Sequence, residues 1–349
     1  MEGQLGPYRS LRTTAETNRN GRLELSFVPE GAENEFLATA IPVDAAHLTL
    51  VRELQIGGDP VYDSEPESLS PRRRSNAAFV SEVANLNWPI VPDDAPLLPG
   101  VRHRITFGLV DQDVAFTQGT LDVELLLRSD ADPTTGTLAI DVVMYGALND
   151  DAEIVAATDD AIEVWEAIYE DVGIHLDVSR RTLTGAPLPP PTDASAGDQW
   201  RTLAEEGPDG TIHLVLSPDD VPGVPGVVGV AGDIPGSLVP GPRSGIRLLP
   251  ERVCGVDGVC DDADVQAYGE LMAHEVGHYL GLFHPAEDSW DRWDAHTDTA
   301  ECTTRQACEA ALGTNIMFPY VVCRGADCPS QAELTPQQVA SMHAYTGVD

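Results

Sequence analysis

The chain has 349 residues, a length that suggests about two domains, and its 42% hydrophobic content is too high for wholesale disorder. Its 57 acidic residues against 20 basic ones, all arginine, give a formal net charge of -37, a surface that nucleic acid and anionic membranes would repel. No apolar run approaches the roughly 20 residues that span a bilayer, so membrane insertion is not expected.

The first 26 residues are polar and hold no apolar core of a signal peptide. Leu23–Val28, Leu48–Ile56, Ile105–Val110 and Leu121–Leu127 read as short strands, several alternating, with Pro/Gly/Asp-rich turns between them. They predict an all-β sandwich over residues 1–135, acting as an accessory or pro-domain. Val91–Gly100 is a proline-rich connection, and Arg72-Arg73-Arg74 reads as an exposed loop in preference to a processing site.

The character changes at Asp130–Gly136, which sets the start of a second domain over residues 136–349. A strand at Thr137–Tyr145 precedes a helix over Asp151–Val172, with Ile154, Ile162, Trp165, Ile168, Tyr169 and Val172 largely at helical spacing. His175–Val178 and Thr211–Leu216 are strand-like, separated by a Pro/Ala/Asp loop over Gly185–Asp198. Val221–Pro250 is rich in Gly and Pro and has room only for short extended pieces; lacking lysine, it is not a phosphate loop. Within it, Gly226–Ile246 is expected to form a cleft rim or a sheet edge.

All six cysteines lie late in the chain, as Cys254 and Cys260, Cys302 and Cys308, Cys323 and Cys328. None has the spacing of a zinc ribbon, and an even count in a loop-rich region reads as disulfides in an oxidising compartment. Connectivity is open, with local pairing the first choice. The expected setting is secreted, cell-surface or periplasmic, with the native leader absent from this chain.

The chemistry is concentrated in Asp264–Pro285, DVQAYGELMAHEVGHYLGLFHP. Asp261 or Asp262 can cap a helix whose apolar stripe is Val265, Tyr268, Leu271 and Met272. His274 and His278 stand one turn apart on one face, so two imidazoles can converge on one ion. Glu275 follows the first of them and can hold a metal-bound water. Gly281 can adopt positive φ, end the helix and turn the chain so that His284 delivers a third ligand. Three protein ligands leave one position of a tetrahedral zinc for water, the pattern of a catalytic site.

With these residues in place, the chain resembles the metzincin metalloproteases, whose signature is this long zinc motif followed by a methionine turn. Asn315-Ile316-Met317 looks like that turn, and the resemblance implies that Met317 floors the metal. Asp298-Thr299-Ala300 with Cys302 and Cys308 nearby makes the pappalysin-like family the most similar. Ala300 stands where that element has proline, and Tyr320 lies three residues after Met317 where several metzincins have tyrosine two after. The family's use of that tyrosine on the oxyanion or substrate would fall to Tyr320. Pro285 is a serralysin feature, but the calcium repeats of serralysins are absent.

The resemblance implies an α+β metzincin-like catalytic domain, with a twisted sheet and an active-site helix, acting as a zinc endopeptidase on protein or peptide. One catalytic Zn2+ is expected; calcium sites, specificity and oligomeric state are not readable. Two alternatives are a non-catalytic zinc-bearing adhesion protein and a zinc amidase on a non-protein substrate. His47, His103, His175 and His213 are read as structural, His296 as a surface residue, and His343 as packing or exposed beyond a capping box opening at Thr335.

Overall fold

The structure is a computed structural model and describes residues 2–349 apart from 6, 130, 131, 133, 219–227, 255–259 and 322–329. Cys323 and Cys328, and the start of the segment over 226–246, lie outside the described residues. The fold is mixed α and β.

In chain order the first region holds β1 (Glu2–Leu5), β2 (Tyr8–Glu16), β3 (Arg22–Phe27), β4 (Glu33–Pro42), β5 (Leu48–Ile56) and β6 (Asp59–Asp63). Then come α1 (Ser64–Leu69), β7 (Arg72–Arg73), β8 (Ala84–Trp88), β9 (His103–Val110) and β10 (Thr120–Ser129). Two sheets result, β1-β2-β10-β4-β8 and β3-β9-β5-β6. Phe36, Leu86, Trp88 and Leu125 of the first meet Phe27, Leu54, Ile105 and Phe107 of the second in one buried cluster.

The strands read from the sequence lie within or beside β3, β5, β9 and β10, whereas β1, β2, β4, β6 and β8 were not foreseen. The reason is visible in β2 and β4, where polar and apolar residues mix on one face, Arg9 with Leu11 and Glu35 with Leu37, so no clean alternation marks them. Ser10, Arg12 and Thr14 of β2 face other strands or solvent, and Ser10 and Arg12 both bond Glu124. Strand β10 is buried on both faces: Leu121, Val123, Leu125 and Leu127 enter the sandwich core, while Leu126 joins the main core with Tyr8 and Leu37.

The rest of the chain holds β11 (Gly136–Tyr145), α2 (Gly146–Asn149), α3 (Ala152–Glu170), β12 (Ile174–Leu183), α4 (Gly197–Glu206), β13 (Ile212–Leu216), β14 (Gly229–Ala231) and β15 (Ile246–Leu248). It continues through α5 (Pro250–Val253), α6 (Asp262–Tyr279), β16 (Trp293–Asp294), α7 (Arg305–Leu312) and α8 (Pro336–His343). The sheet order is β12-β11-β13-β15-β14, parallel except for β14, which is antiparallel and last. A parallel sheet under helices is covered on its faces, hence the apolar run Val142-Val143-Met144 in β11 and IHLVL in β13. The loop expected over Gly185–Asp198 is observed up to Ala196 and is followed by α4, whose Trp200 is fully buried and donates to the Pro189 carbonyl at 3.0 Å.

Helix α3 packs on α6 closely, because Gly269 has no side chain: a Cβ there would lie 2.6 Å from the Ala161 carbonyl oxygen. Tyr169 of α3 also donates to the Ala273 carbonyl at 2.9 Å, one residue before the first motif histidine.

Candidate metal centre

Helix α6 begins in a capping box: Asp261 accepts from the N–H groups of Ala263 and Asp264, and the Asp264 side chain returns to the Asp261 N–H. It ends at Gly281, φ 103°, in a Schellman motif: Gly281 N–H donates to His278 O at 2.9 Å and Leu282 N–H to Gly277 O at 3.0 Å. This turn reverses the chain and carries His284 back over the helix end.

The three motif histidines meet. One ring nitrogen from each of His274, His278 and His284 lies within 4.8 Å of the others, with His278 buried and its companions half-buried. The other nitrogen of each ring is engaged. His274 Nδ1 donates to Ile316 O at 2.7 Å and His278 Nδ1 to Leu282 O at 2.6 Å. Carbonyls only accept, so these two Nδ1 atoms carry the protons and their Nε2 atoms present lone pairs. His284 Nδ1 lies 3.0 Å from Glu287 Oε2, which makes the same tautomer the natural one.

Burial, then the charge of His284, lowers the His274 pKa to about 4, and burial with the charges of His284 and His274 holds that of His278 well below the usual imidazole value. The Nε2 atoms of His278 and His284 lie 3.2 Å apart, close enough to share one ion. A set of three imidazoles whose Nδ1 atoms are held by neighbouring groups suits a divalent cation. The residues fit a metal.

Beneath the helix lies Met317, fully buried. Its sulfur occupies the space beside Gly277, where a Cβ would lie 2.6 Å from Sδ. The turn that carries it is held by Asn315, whose side chain accepts from Met317 N–H at 3.0 Å and donates to Gln338 Oε1 at 2.7 Å. Glu275 is buried against the edge strand β14: Ala231 N–H donates to it, and a Cβ at Gly229 would lie 2.6 Å from its Oε1. Burial pushes its carboxyl up to about 8, with the Ala231 hydrogen bond opposing.

Several expectations change. Arg72–Arg74 is not an exposed loop: Arg72 and Arg73 pair in parallel with Trp293 and Asp294, and all three arginines are half-buried. His296 is not a surface residue; it is buried between Asp294 Oδ2 at 3.1 Å and Ser341 Oγ at 2.9 Å. Among the histidines read as structural, His213 is buried and pairs with Asp141 at 2.9 Å, and His103 is buried in β9. His343 is buried at the end of α8, behind the capping box at Thr335. The ring of Tyr320 packs against Trp290 and Phe318, under the Arg305 guanidinium.

Cys254–Cys260 and Cys302–Cys308 are disulfides. No helix among the described residues is long and apolar enough to cross a membrane.

Two further side chains at the site belong to no motif in the sequence. Glu287 lies three residues past His284 and Arg73 inside the arginine run. Both line a cavity of about 580 Å³ with His278 and His284, along with Asn76, Ile234 and Arg292. Burial alone would raise the Glu287 pKa, but the His284 hydrogen bond and the charges of Arg73 and Arg292 hold it below the usual carboxylate range.

No family model matches the sequence, and no curated protein matches it. Among solved structures, metalloproteinase-II from Bacteroides fragilis aligns at 13% identity over 53% of this chain and 57% of its own, with a TM-score of 0.29. Dimeric latent PorU from Porphyromonas gingivalis aligns at 8% identity over 62% of this chain and 30% of its own, with a TM-score of 0.18. A family two carbohydrate esterase from Clostridium thermocellum reaches 12% identity over 76% and 70%, with a TM-score of 0.16. At such scores these likenesses argue for neither fold nor function, so the residues of the site carry the reading.

Proposed function

We propose that the chain is a secreted zinc-dependent endopeptidase of metzincin type, with residues 136–349 as the catalytic domain and residues 1–135 as an accessory domain. The observation that carries this reading is the meeting of His274, His278 and His284: the Nδ1 atom of each is engaged by a neighbouring group, and one ring nitrogen from each lies within 4.8 Å of the others. The two disulfides favour an oxidising compartment.

Zinc bound there supplies Lewis-acid polarisation of a scissile carbonyl and makes water a nucleophile near neutral pH. Glu275 takes the proton of the attacking water on a carboxylate oxygen and returns it to the leaving amine. Met317 gives the histidines an apolar floor. An extended substrate lies along β14, the antiparallel last strand, and pairs with it through main-chain hydrogen bonds. Glu275 already rests on that strand, at Gly229 and Ala231, so substrate backbone and proton carrier meet at one edge. Tyr320 is assigned no step, since its ring is held by Trp290, Phe318 and Arg305.

Elemental analysis of the purified chain alongside cleavage of a peptide library tests the reading. One zinc per chain and internal peptide-bond cleavage are expected. A chain with no zinc after dialysis against excess metal defeats the metal assignment. Cleavage of peptidoglycan fragments but not peptides replaces protease with amidase.

A further inference from the structure

The third histidine is held differently from the first two. His274 and His278 are oriented by backbone carbonyls, whose positions come with the helix and the methionine turn. His284 sits on the loop beyond the helix and is oriented by a side chain, Glu287.

That carboxylate belongs to a tight turn, closed by Glu287 N–H to Arg292 O at 3.0 Å and Trp290 N–H to Glu287 O at 2.9 Å. Trp290 has φ 59° within it, an uncommon conformation for a bulky residue and one that surrounding packing must hold. The holding comes from two sides. The Trp290 ring lies 6.0 Å from that of Tyr320, above a buried cluster containing the Cys302–Cys308 disulfide and Phe318. On the other side, Trp293 N–H donates to Pro71 O at 2.9 Å, and β16 pairs with β7 immediately after the turn.

Strand β7 belongs to the N-terminal region. Of its arginines, Arg72 is paired with Glu301, and the following Arg74 with Glu67 and Asp94. Arg73 lies over Phe79 at 4.5 Å and faces the metal cavity, within Coulomb reach of Glu287. Three residues on, Asn76 N–H donates to Ile234 O at 2.8 Å, so the same segment also fixes the opposite wall.

We infer that Glu287 is a positioning residue for the metal ligand His284, and that Arg73 of the N-terminal region positions Glu287, so that the metal centre is a composite of both parts of the chain. This rests on the metal-site reading above and adds that residues 1–135 are a permanent component of the centre, not a segment to be shed. A carboxylate on the far nitrogen of a ligating histidine fixes its ring and strengthens it as a donor, and losing such a partner typically weakens metal binding.

The test is zinc affinity of the full chain by chelator competition, with the visible spectrum of the Co2+-loaded protein as a readout of ligand geometry. Glu287→Gln keeps the shape and removes the charge; it is expected to weaken zinc binding about 10–100-fold and alter the Co2+ spectrum. Arg73→Gln is expected to weaken binding in the same direction, and to have no further effect in a Glu287→Gln background, because the Arg73 charge acts on the metal ligand only through the Glu287 carboxylate and coupled groups are not additive. Arg72→Gln, whose charge is matched by Glu301, is the control and leaves affinity unchanged.

Wild-type affinity in Glu287→Gln overturns the inference. Additive losses in the double variant overturn the part assigned to Arg73. If Glu287→Gln does not fold, Arg73→Gln decides alone, and wild-type affinity there overturns the composite centre. A wild-type chain that takes up neither Zn2+ nor Co2+ instead defeats the metal-site reading itself, so the two failures are distinguishable.

Discussion

Glu275 is boxed in by a residue with no side chain. A methyl group at Gly229 would lie 2.6 Å from its Oε1 and 2.7 Å from Leu248 Cδ2, so Gly229→Ala must displace the carboxylate or the edge strand. Glu275→Gln is expected to keep both metal and fold while losing about 10²–10⁴ in kcat/KM, the usual worth of a general base. Zinc content measured alongside hydrolysis of a quenched peptide separates the two effects; near-normal turnover with zinc bound removes Glu275 from the chemistry. Residues of this kind were legible beforehand because helical geometry alone puts positions 274 and 278 on one face. Their hydrogen-bond acceptors were not, since Ile316 O and Leu282 O are backbone atoms and leave no residue-type signal.

Helix α6 works as an element because both of its ends are defined, by Asp261 at the start and Gly281 at the stop. Gly281→Ala places a β-carbon on a residue with φ 103°, at an expected cost of about 1–2 kcal/mol. The strain falls between His278 and His284, so zinc affinity should drop along with the urea midpoint. A variant that loses stability but binds zinc as tightly as wild type would show that the turn does not set the position of His284. The glycine and the cap were readable as helix punctuation. Helices α4 and α7 were missed because Trp200, Leu203, Cys308 and Leu312 supply too short a stripe to stand out from the loops around them.

Across the whole molecule, Arg128 ties the two regions together. Its guanidinium donates to Tyr345 O at 3.2 Å and His343 O at 3.3 Å, and its Nε lies 3.2 Å from Glu35, all of these groups buried. Arg128→Met strands the Glu35 carboxylate and two buried carbonyls, and is expected to cost about 3–5 kcal/mol. Calorimetry should then show one cooperative transition shifted down as a unit; two separated transitions would mean that the regions fold independently.

Glu35 adds a pH dependence. Burial outweighs Arg128 and raises its pKa to about 7 from an ordinary 4.5. The folded state therefore binds this proton more tightly than the unfolded state. Its contribution is full below about pH 4.5 and is lost as pH rises to about 7. Glu35→Gln should flatten the wild-type stability curve over that window. A curve of unchanged slope would show that Glu35 is ionised throughout.

The sequence by itself determined that His274 and His278 share one helix face with Glu275 beside them, where that helix begins and ends, and the β character of the first third. Each depends on residue type at short spacing, and short spacing is set by helix and strand periodicity without reference to the rest of the chain. Only the tertiary structure decided what lies on the far side of each histidine, where Arg72–Arg74 goes, and that His296 is buried. Arg73 and Glu287 are more than 200 positions apart, and no local period relates them. Their meeting depends on how β7 docks on β16, which is settled by packing across the whole molecule.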